Sequence, residues 1–206
     1  MDAVSTSEAP SWPTEMGTGK IARRAVAAGL FGLALGLSAQ ARACPPLLRR
    51  QFLRLQDEKP QDLCQYAGRV LVIVNTASHC GYTPQYKSLE ALHQRWTPRG
   101  LTVLGFPSND FGQQEPGSNA QIAEFCESTF GVRFPMFAKS HVAANVAAAT
   151  RNPLFADLAR LSGEAPRWNF HKYLISRDGQ EILSFPSRVD PSDRVFQQAV
   201  ERLIGA

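Results

Sequence analysis

At 206 residues the chain has room for one domain of ordinary size plus an extension, enough to bury a core. Its 22 Lys and Arg against 18 Asp and Glu leave a formal charge of +4, with the basic residues scattered rather than gathered in a run, a mildly basic surface that is only weak evidence for nucleic-acid or membrane binding. The four cysteines (Cys44, Cys64, Cys80, Cys126) contain no C-x-x-C, and the four histidines (His79, His93, His141, His171) form no cluster of metal-ligand spacing, so there is no case for zinc.

Residues 1–43 read as a targeting segment. Lys20, Arg23 and Arg24 precede the apolar stretch 25–39, and Ala41-Arg42-Ala43 then supplies small residues for cleavage, so the mature chain would begin at Cys44. Residues 1–15 are polar and carry Asp2, Glu8 and Glu15, an odd opening for a signal with a basic start, which points to translation from Met16. Fifteen largely apolar residues are few for a bilayer span, so export to a periplasm is favoured over a membrane anchor. An exported chain tolerates disulfides, and four cysteines allow three pairings.

From Cys44 the mature domain, 44–206, opens with a β-hairpin: 52–55 as one arm, 57–60 as the turn and 61–64 as the return. Cys44 and Cys64 both precede the first core strand, and a bridge between them would close a short loop worth about 3 kcal/mol. Residues 70–74 are five aliphatics without alternation, the pattern of a central strand covered on both faces. Pro84, Tyr86, Leu89, Leu92 and Trp96 then recur at helical spacing to a break at Pro98-Arg99-Gly100, and a second apolar strand, 101–106, completes a right-handed βαβ unit. Residues 107–117 form a long polar loop at a strand end, where an α/β protein places its site. Ser118 or Asn119 caps a helix carrying Ile122, Phe125 and Cys126, and 134–137, with Pro135, reads as a short edge strand. A helix over 153–161, a strand over 173–175, a turn at 177–180, a return over 181–185 and an amphipathic helix over 191–204 close the domain. The order is that of an α/β thioredoxin-like fold, a mixed central sheet with helices on both faces and an N-terminal β-hairpin.

Cys80 falls in the turn from the first core strand into a helix. A thiol there faces the helix's free N–H groups and the positive end of its dipole, both of which favour thiolate, the reactive form. The polar, glycine-containing neighbours Ser78, His79, Gly81 and Thr83 argue against an inert buried cysteine.

Three blocks, NTASHCGYT from Asn75 to Thr83, GFPSNDFGQQEPG from Gly105 to Gly117 and WNFHK from Trp168 to Lys172, resemble the signatures of the glutathione peroxidase family, in colinear order. The resemblance implies a cysteine-type member with Cys80 as the peroxidatic residue and Gln114, Trp168 and Asn169 in the remaining positions of a catalytic tetrad. Their amide and indole N–H groups are donors suited to holding a thiolate and the oxygen that leaves. It implies a thiol-dependent peroxidase that reduces hydrogen peroxide and organic hydroperoxides through a Cys80 sulfenic acid, in defence against oxidative stress. It implies no bound cofactor and no metal, a thioredoxin-like protein or glutathione as reductant, and no stable membrane partner. Cys126 is implied as a resolving thiol; the register counted back from Phe134-Pro135-Met136-Phe137 keeps a purely structural cysteine open. The brief segment between Leu161 and Trp168 is similar to that of smaller members and implies a monomer.

Alternative readings are a peroxide sensor that relays oxidation through Cys126, or a strictly glutathione-dependent enzyme. A disulfide oxidoreductase would want C-x-x-C, and Thr83 stands in the second place.

Overall fold

A computed structural model describes residues 44–205; the expected targeting segment and its start at Met16 lie outside them. The central sheet is built on the unbroken apolar run. β3 (Val70–Thr76) and β4 (Leu101–Pro107) pair in parallel from Val70 opposite Leu101 to Thr76 opposite Pro107, and every residue of both is buried. β5 (Lys172–Ile175) lies antiparallel on the other side of β3, and β6 (Ile182–Phe185) antiparallel to β5, giving the order β4-β3-β5-β6. β1 (Gln51–Leu53) and β2 (Pro60–Asp62) form the separate N-terminal hairpin.

Alternation along β3 divides the core into two layers. Val70, Val72 and Val74 pack with Leu89, Leu92 and Trp96 of α1 (Gln85–Trp96), Ile122 and Cys126 of α2 (Asn119–Phe130), and Phe196, Val200 and Leu203 of α4 (Arg194–Gly205). Leu71 and Ile73 point the other way, onto Leu154, Phe155 and Leu158 of α3 (Pro153–Ser162) and onto Leu63. A strand buried on both faces has no use for polar alternation, which is why β3 and β4 read as continuous hydrophobic runs. With helices on both faces of a mixed sheet, the fold is thioredoxin-like.

Boundaries differ from the sequence expectation where side chains capture the backbone. The hairpin return stops at Asp62, because its carboxylate accepts the Cys64 N–H at 2.9 Å and caps a 3-10 turn over Leu63–Tyr66. α4 begins at Arg194 rather than 191, because Asp190 accepts from the Ser192 N–H at 2.8 Å and Asp193 from the Asp190 N–H at 2.8 Å, fixing a turn ahead of the helix. The expected strand over 134–137 is reduced to two single bridges, Gly105 with Met136 and Arg54 with Phe137. Pro135 has no N–H to donate there, and Gly105 lacks a Cβ where the Met136 sulfur packs against β4. Of the two candidate caps, Ser118 is the one used, in a reciprocal box with Gln121.

A disulfide joins Cys44 to Cys64, with Cα atoms 5.3 Å apart across 20 residues, and ties the start of the domain to the turn after β2. Replacing both cysteines by serine removes a constraint worth about 3 kcal/mol in the chain-entropy account. Calorimetry is expected to show a melting temperature lower by roughly 5–10 °C.

Candidate active site

β3 delivers the chain to the site. After Thr76 comes the buried Ala77, then a tight loop into α1 in which Thr83 acts as a lock. Its hydroxyl accepts the Cys80 N–H at 3.0 Å and donates to the Ala77 carbonyl at 2.9 Å, while its own N–H bonds the Cys80 carbonyl at 3.0 Å. Cys80 is thereby held at the entrance to α1, 8% exposed, with the Tyr82 N–H directed at its sulfur from 3.4 Å. Thr83 occupies the place where a C-x-x-C protein has its second sulfur, so the hydroxyl supplies by hydrogen bonding the rigidity that a disulfide would supply covalently.

The 107–117 loop closes over this turn. The His79 N–H donates to the Gln114 carbonyl at 3.0 Å, and the Ser108 N–H to the Thr76 carbonyl at 3.0 Å. Gly112 and Gln113 both take left-handed backbone, with φ of 66° and 52°. That double turn brings the Gln114 side chain to Asn169, whose Nδ2 donates to Gln114 Oε1 at 2.9 Å and to the Phe111 carbonyl at 3.3 Å. Asn169 is fully buried and its Oδ1 has no partner. Trp168 is 40% exposed; its ring lies 6.1 Å from that of Phe111 and so close over Gly112 that a Cβ there would meet it at 3.3 Å.

Of the four residues expected together, Gln114 and Asn169 are joined side chain to side chain, Trp168 packs on the same loop, and Cys80 is linked to that loop through the backbone of its neighbour. Among the described residues no hydrogen bond from the Gln114, Trp168 or Asn169 side chain reaches the Cys80 sulfur, which keeps the Tyr82 N–H as its donor. Cys126 lies on α2, 2% exposed, in the same apolar cluster as Cys80; both are free thiols. Burial pushes the Cys126 thiol up to about 11, opposed by a hydrogen bond with Tyr86 and reinforced by the negative charge of Glu115. Among the described residues there is no group of three or more His, Cys, Asp or Glu able to hold a metal.

Two residues with no role assigned from the sequence organise the site. Asn75, fully buried in β3, donates from Nδ2 to the Trp168 carbonyl at 3.1 Å and accepts the His171 N–H on Oδ1 at 3.1 Å. Its backbone carbonyl takes the Phe170 N–H at 2.7 Å, and Phe170 itself is left-handed, with φ of 62°. The available signal was one asparagine at the end of an otherwise apolar central run. Glu115 is the second: 1% exposed, it lines a cavity of about 400 Å³ together with Ser78, His79, Gln121, Ile122 and Phe125. Burial raises its carboxyl to about 7, against the lowering effect of Ser78 and Lys139.

The Glu115 shift has a definite sign in stability. Folded Glu115 keeps its proton up to about pH 7, whereas the unfolded chain releases it near the model-peptide value, so this stabilisation is complete at acid pH and lost as pH rises through 7. Glu115→Gln does not titrate. Its unfolding free energy relative to the parent is therefore expected to grow between pH 4.5 and pH 7, by on the order of 3 kcal/mol in urea titrations across that range.

The glutathione peroxidase family model matches residues 51–158. Glutathione peroxidase-like peroxiredoxin gpx1 of Schizosaccharomyces pombe is 44% identical over 136 residues, covering 66% of this chain and 86% of that protein. Thioredoxin/glutathione peroxidase BtuE of Escherichia coli is 39% identical over 169 residues, covering 70% and 90%. The crystal structure of Trgpx in apo form is similar with a TM-score of 0.61 at 31% identity, over 78% of this chain and 95% of that one. A family match over more than half the sequence, beside relatives of this identity and coverage, means that the chain belongs to the glutathione peroxidase family.

Proposed function

We propose that Cys80 is the peroxidatic thiol, that Gln114, Trp168 and Asn169 surround the reacting oxygens, and that Cys126 resolves the oxidised state. The family makes the chain an oxidoreductase, a thiol-dependent peroxidase that reduces hydroperoxides. The observation that carries the residue assignment is the placement of Cys80 at a strand-to-helix turn with a backbone N–H on its sulfur, beside a loop that holds Gln114 against Asn169.

In the proposed cycle the Cys80 thiolate attacks the peroxide O–O bond. One oxygen stays on sulfur as sulfenic acid; the other leaves with the bond's electron pair and takes a proton to become water or an alcohol. The Trp168 indole and the Gln114 amide carry N–H donors suited to the negative charge that develops on that oxygen. The Cys126 sulfur then attacks the Cys80 sulfur, the S–O bond of the sulfenic acid breaks, and the departing hydroxide takes the thiol proton to leave as water, forming a Cys80–Cys126 disulfide. Both sulfurs are buried on different elements, so α2 has to shift locally before they meet.

Two external thiol equivalents, from one dithiol protein or from two glutathione molecules, return the disulfide to two thiols and are themselves left joined as a disulfide. A thioredoxin-like protein is the reductant favoured here, with glutathione second; the relative from Escherichia coli carries both in its name. Residues 44–206 are taken as the working domain, exported to a periplasm after removal of 1–43, a reading supported by the N-terminal sequence and by the Cys44–Cys64 bridge. A monomer is supported by the brief 163–167 connection between α3 and Trp168. No helix among the described residues is long and apolar enough to cross a membrane.

The test is hydrogen peroxide consumption by the purified protein with glutathione or a thioredoxin system. Cys80→Ser is expected to lose turnover with either reductant, and Cys126→Ser to lose only the thioredoxin-supported rate. Turnover retained in Cys80→Ser would remove the proposal. Asn169→Ala, which leaves Gln114 without its partner, is expected to lower the rate of Cys80 oxidation by about 10- to 100-fold while the melting temperature changes by only a few degrees.

A further inference from the structure

Lys172, the first residue of β5, is fully enclosed, and the acceptors of its ammonium are uncharged oxygens. They are the Phe170 carbonyl at 2.7 Å, Gln85 Oε1 at 2.8 Å and, at the limit of reach, the Ser187 carbonyl at 3.5 Å. Gln85 Nε2 donates to that same Ser187 carbonyl at 2.7 Å, which fixes the orientation of the amide. A buried ammonium without a charged partner is costly, so its presence calls for a use.

Its two close acceptors belong to the two halves of the site. Phe170 follows Asn169 directly and is buried in left-handed backbone, with φ of 62°, a conformation that a bulky residue keeps only when its surroundings hold it. The Asn75 carbonyl holds the Phe170 N–H at 2.7 Å, and Lys172 holds the Phe170 carbonyl. Gln85 is the first residue of α1. Its backbone N–H donates to the Tyr82 carbonyl at 2.9 Å, and the Tyr82 N–H is the donor directed at the Cys80 sulfur. One ammonium therefore ties the segment carrying Trp168 and Asn169 to the turn carrying Cys80.

We propose that Lys172 is a positioning residue for peroxide reduction: by bonding the Phe170 carbonyl and Gln85 at once, its ammonium sets the donors of the Trp168–Asn169 segment against the Cys80 turn. The proposal rests on Cys80 being the peroxidatic thiol. An ammonium has three N–H donors for the three oxygens; a neutral amine has two and turns a lone pair toward the third, so the brace needs the proton. Burial draws Lys172 down to about 7, opposed by the carboxylates of Asp190 and Asp193 ahead of α4. Its ladder partners, Val74 of β3 and Phe185 of β6, do not titrate, Gln85 of α1 is uncharged, and His171 beside it is drawn down to about 4 and is neutral. The brace is therefore weakened as pH rises through about 7. Losing the proton also relieves a buried charge, so the change is local and not an unfolding.

The experiment measures, between pH 5 and 9, the rate constants for oxidation of Cys80 by hydrogen peroxide and for its alkylation by iodoacetamide, each followed on the Cys80 peptide by acid quench and mass spectrometry. Both reactions use the thiolate, but only the first needs donors for a leaving oxygen, so the ratio of the two reads the donors. In the parent this ratio is expected to fall about 10-fold as pH rises through about 7. Lys172→Met is expected to keep the ratio at or below the parent's high-pH level throughout, with no inflection. Gln85→Glu retains an oxygen acceptor and gives the ammonium a charged partner, and is expected to move the fall upward by about one pH unit or more. A ratio independent of pH in the parent, a fall unmoved in Gln85→Glu, or a parental ratio and profile in Lys172→Met overturns the proposal and leaves Cys80 as peroxidatic thiol. No oxidised Cys80 in the parent overturns that assignment itself. Should Lys172→Met fail to fold, the parent and Gln85→Glu decide by the first two of these outcomes.

Discussion

The site depends on the side chain of Asn75. β3 is buried on both faces and ends beside the segment that carries Trp168 and Asn169, and at that point the regular ladder with β5 gives way to hydrogen bonds from one asparagine. By donating to the Trp168 carbonyl and accepting from the His171 N–H, Asn75 fixes the backbone on either side of Asn169 and leaves the Asn169 amide free to reach Gln114. In a fully buried setting each of these bonds is expensive to leave unmade, on the order of 1–3 kcal/mol, so the geometry is stiff. Since β3 also leads directly into the Cys80 turn, one strand sets the relative position of the thiol and the Gln114–Asn169 pair.

Behind this frame the protein buries ionisable groups at positions where burial opposes their charge. Lys172, fully enclosed, donates to the Phe170 carbonyl at 2.7 Å and to Gln85 Oε1 at 2.8 Å, and burial draws it down to about 7. His171 is drawn down to about 4 by burial and is neutral at physiological pH, its Nε2 2.9 Å from the Ser184 hydroxyl. Glu115 moves the opposite way, as a buried acid must. Their linkages differ in sign: the His171 shift makes stability rise with pH between about 4 and 6.5, the Lys172 shift makes it rise above about 7, and the Glu115 shift makes it fall towards 7. Lys172 thus braces the start of β5 through carbonyl acceptors, with its charge held at the edge of loss.

Much of this was legible in the sequence, for identifiable reasons. β3 and β4 announced themselves by unbroken aliphatic runs, α1 by its spacing after Pro84, α2 by the Ser118 cap, and Cys80 by its place between strand and helix. What failed were segments whose conformation is set by a contact outside the local pattern. The return arm of the hairpin was cut short by the Asp62 carboxylate, the start of α4 by Asp190 and Asp193, and the strand over 134–137 by a proline with no N–H and by Met136 packed over Gly105 of β4. Asn75 and Glu115 were invisible as site residues because their roles exist only once chain segments far apart in sequence have met. The Gln114–Asn169 bond, across 55 residues, depends on left-handed backbone at Gln113, where composition would favour glycine.

The central claim is that oxidation enters the protein at Cys80 and nowhere else. The most direct measurement is peptide mapping of Cys126→Ser after one equivalent of hydrogen peroxide in the presence of a sulfenic-acid trap. The account predicts a single trapped adduct, on the peptide containing Cys80. An adduct on another residue, with Cys80 recovered as a free thiol, would contradict it.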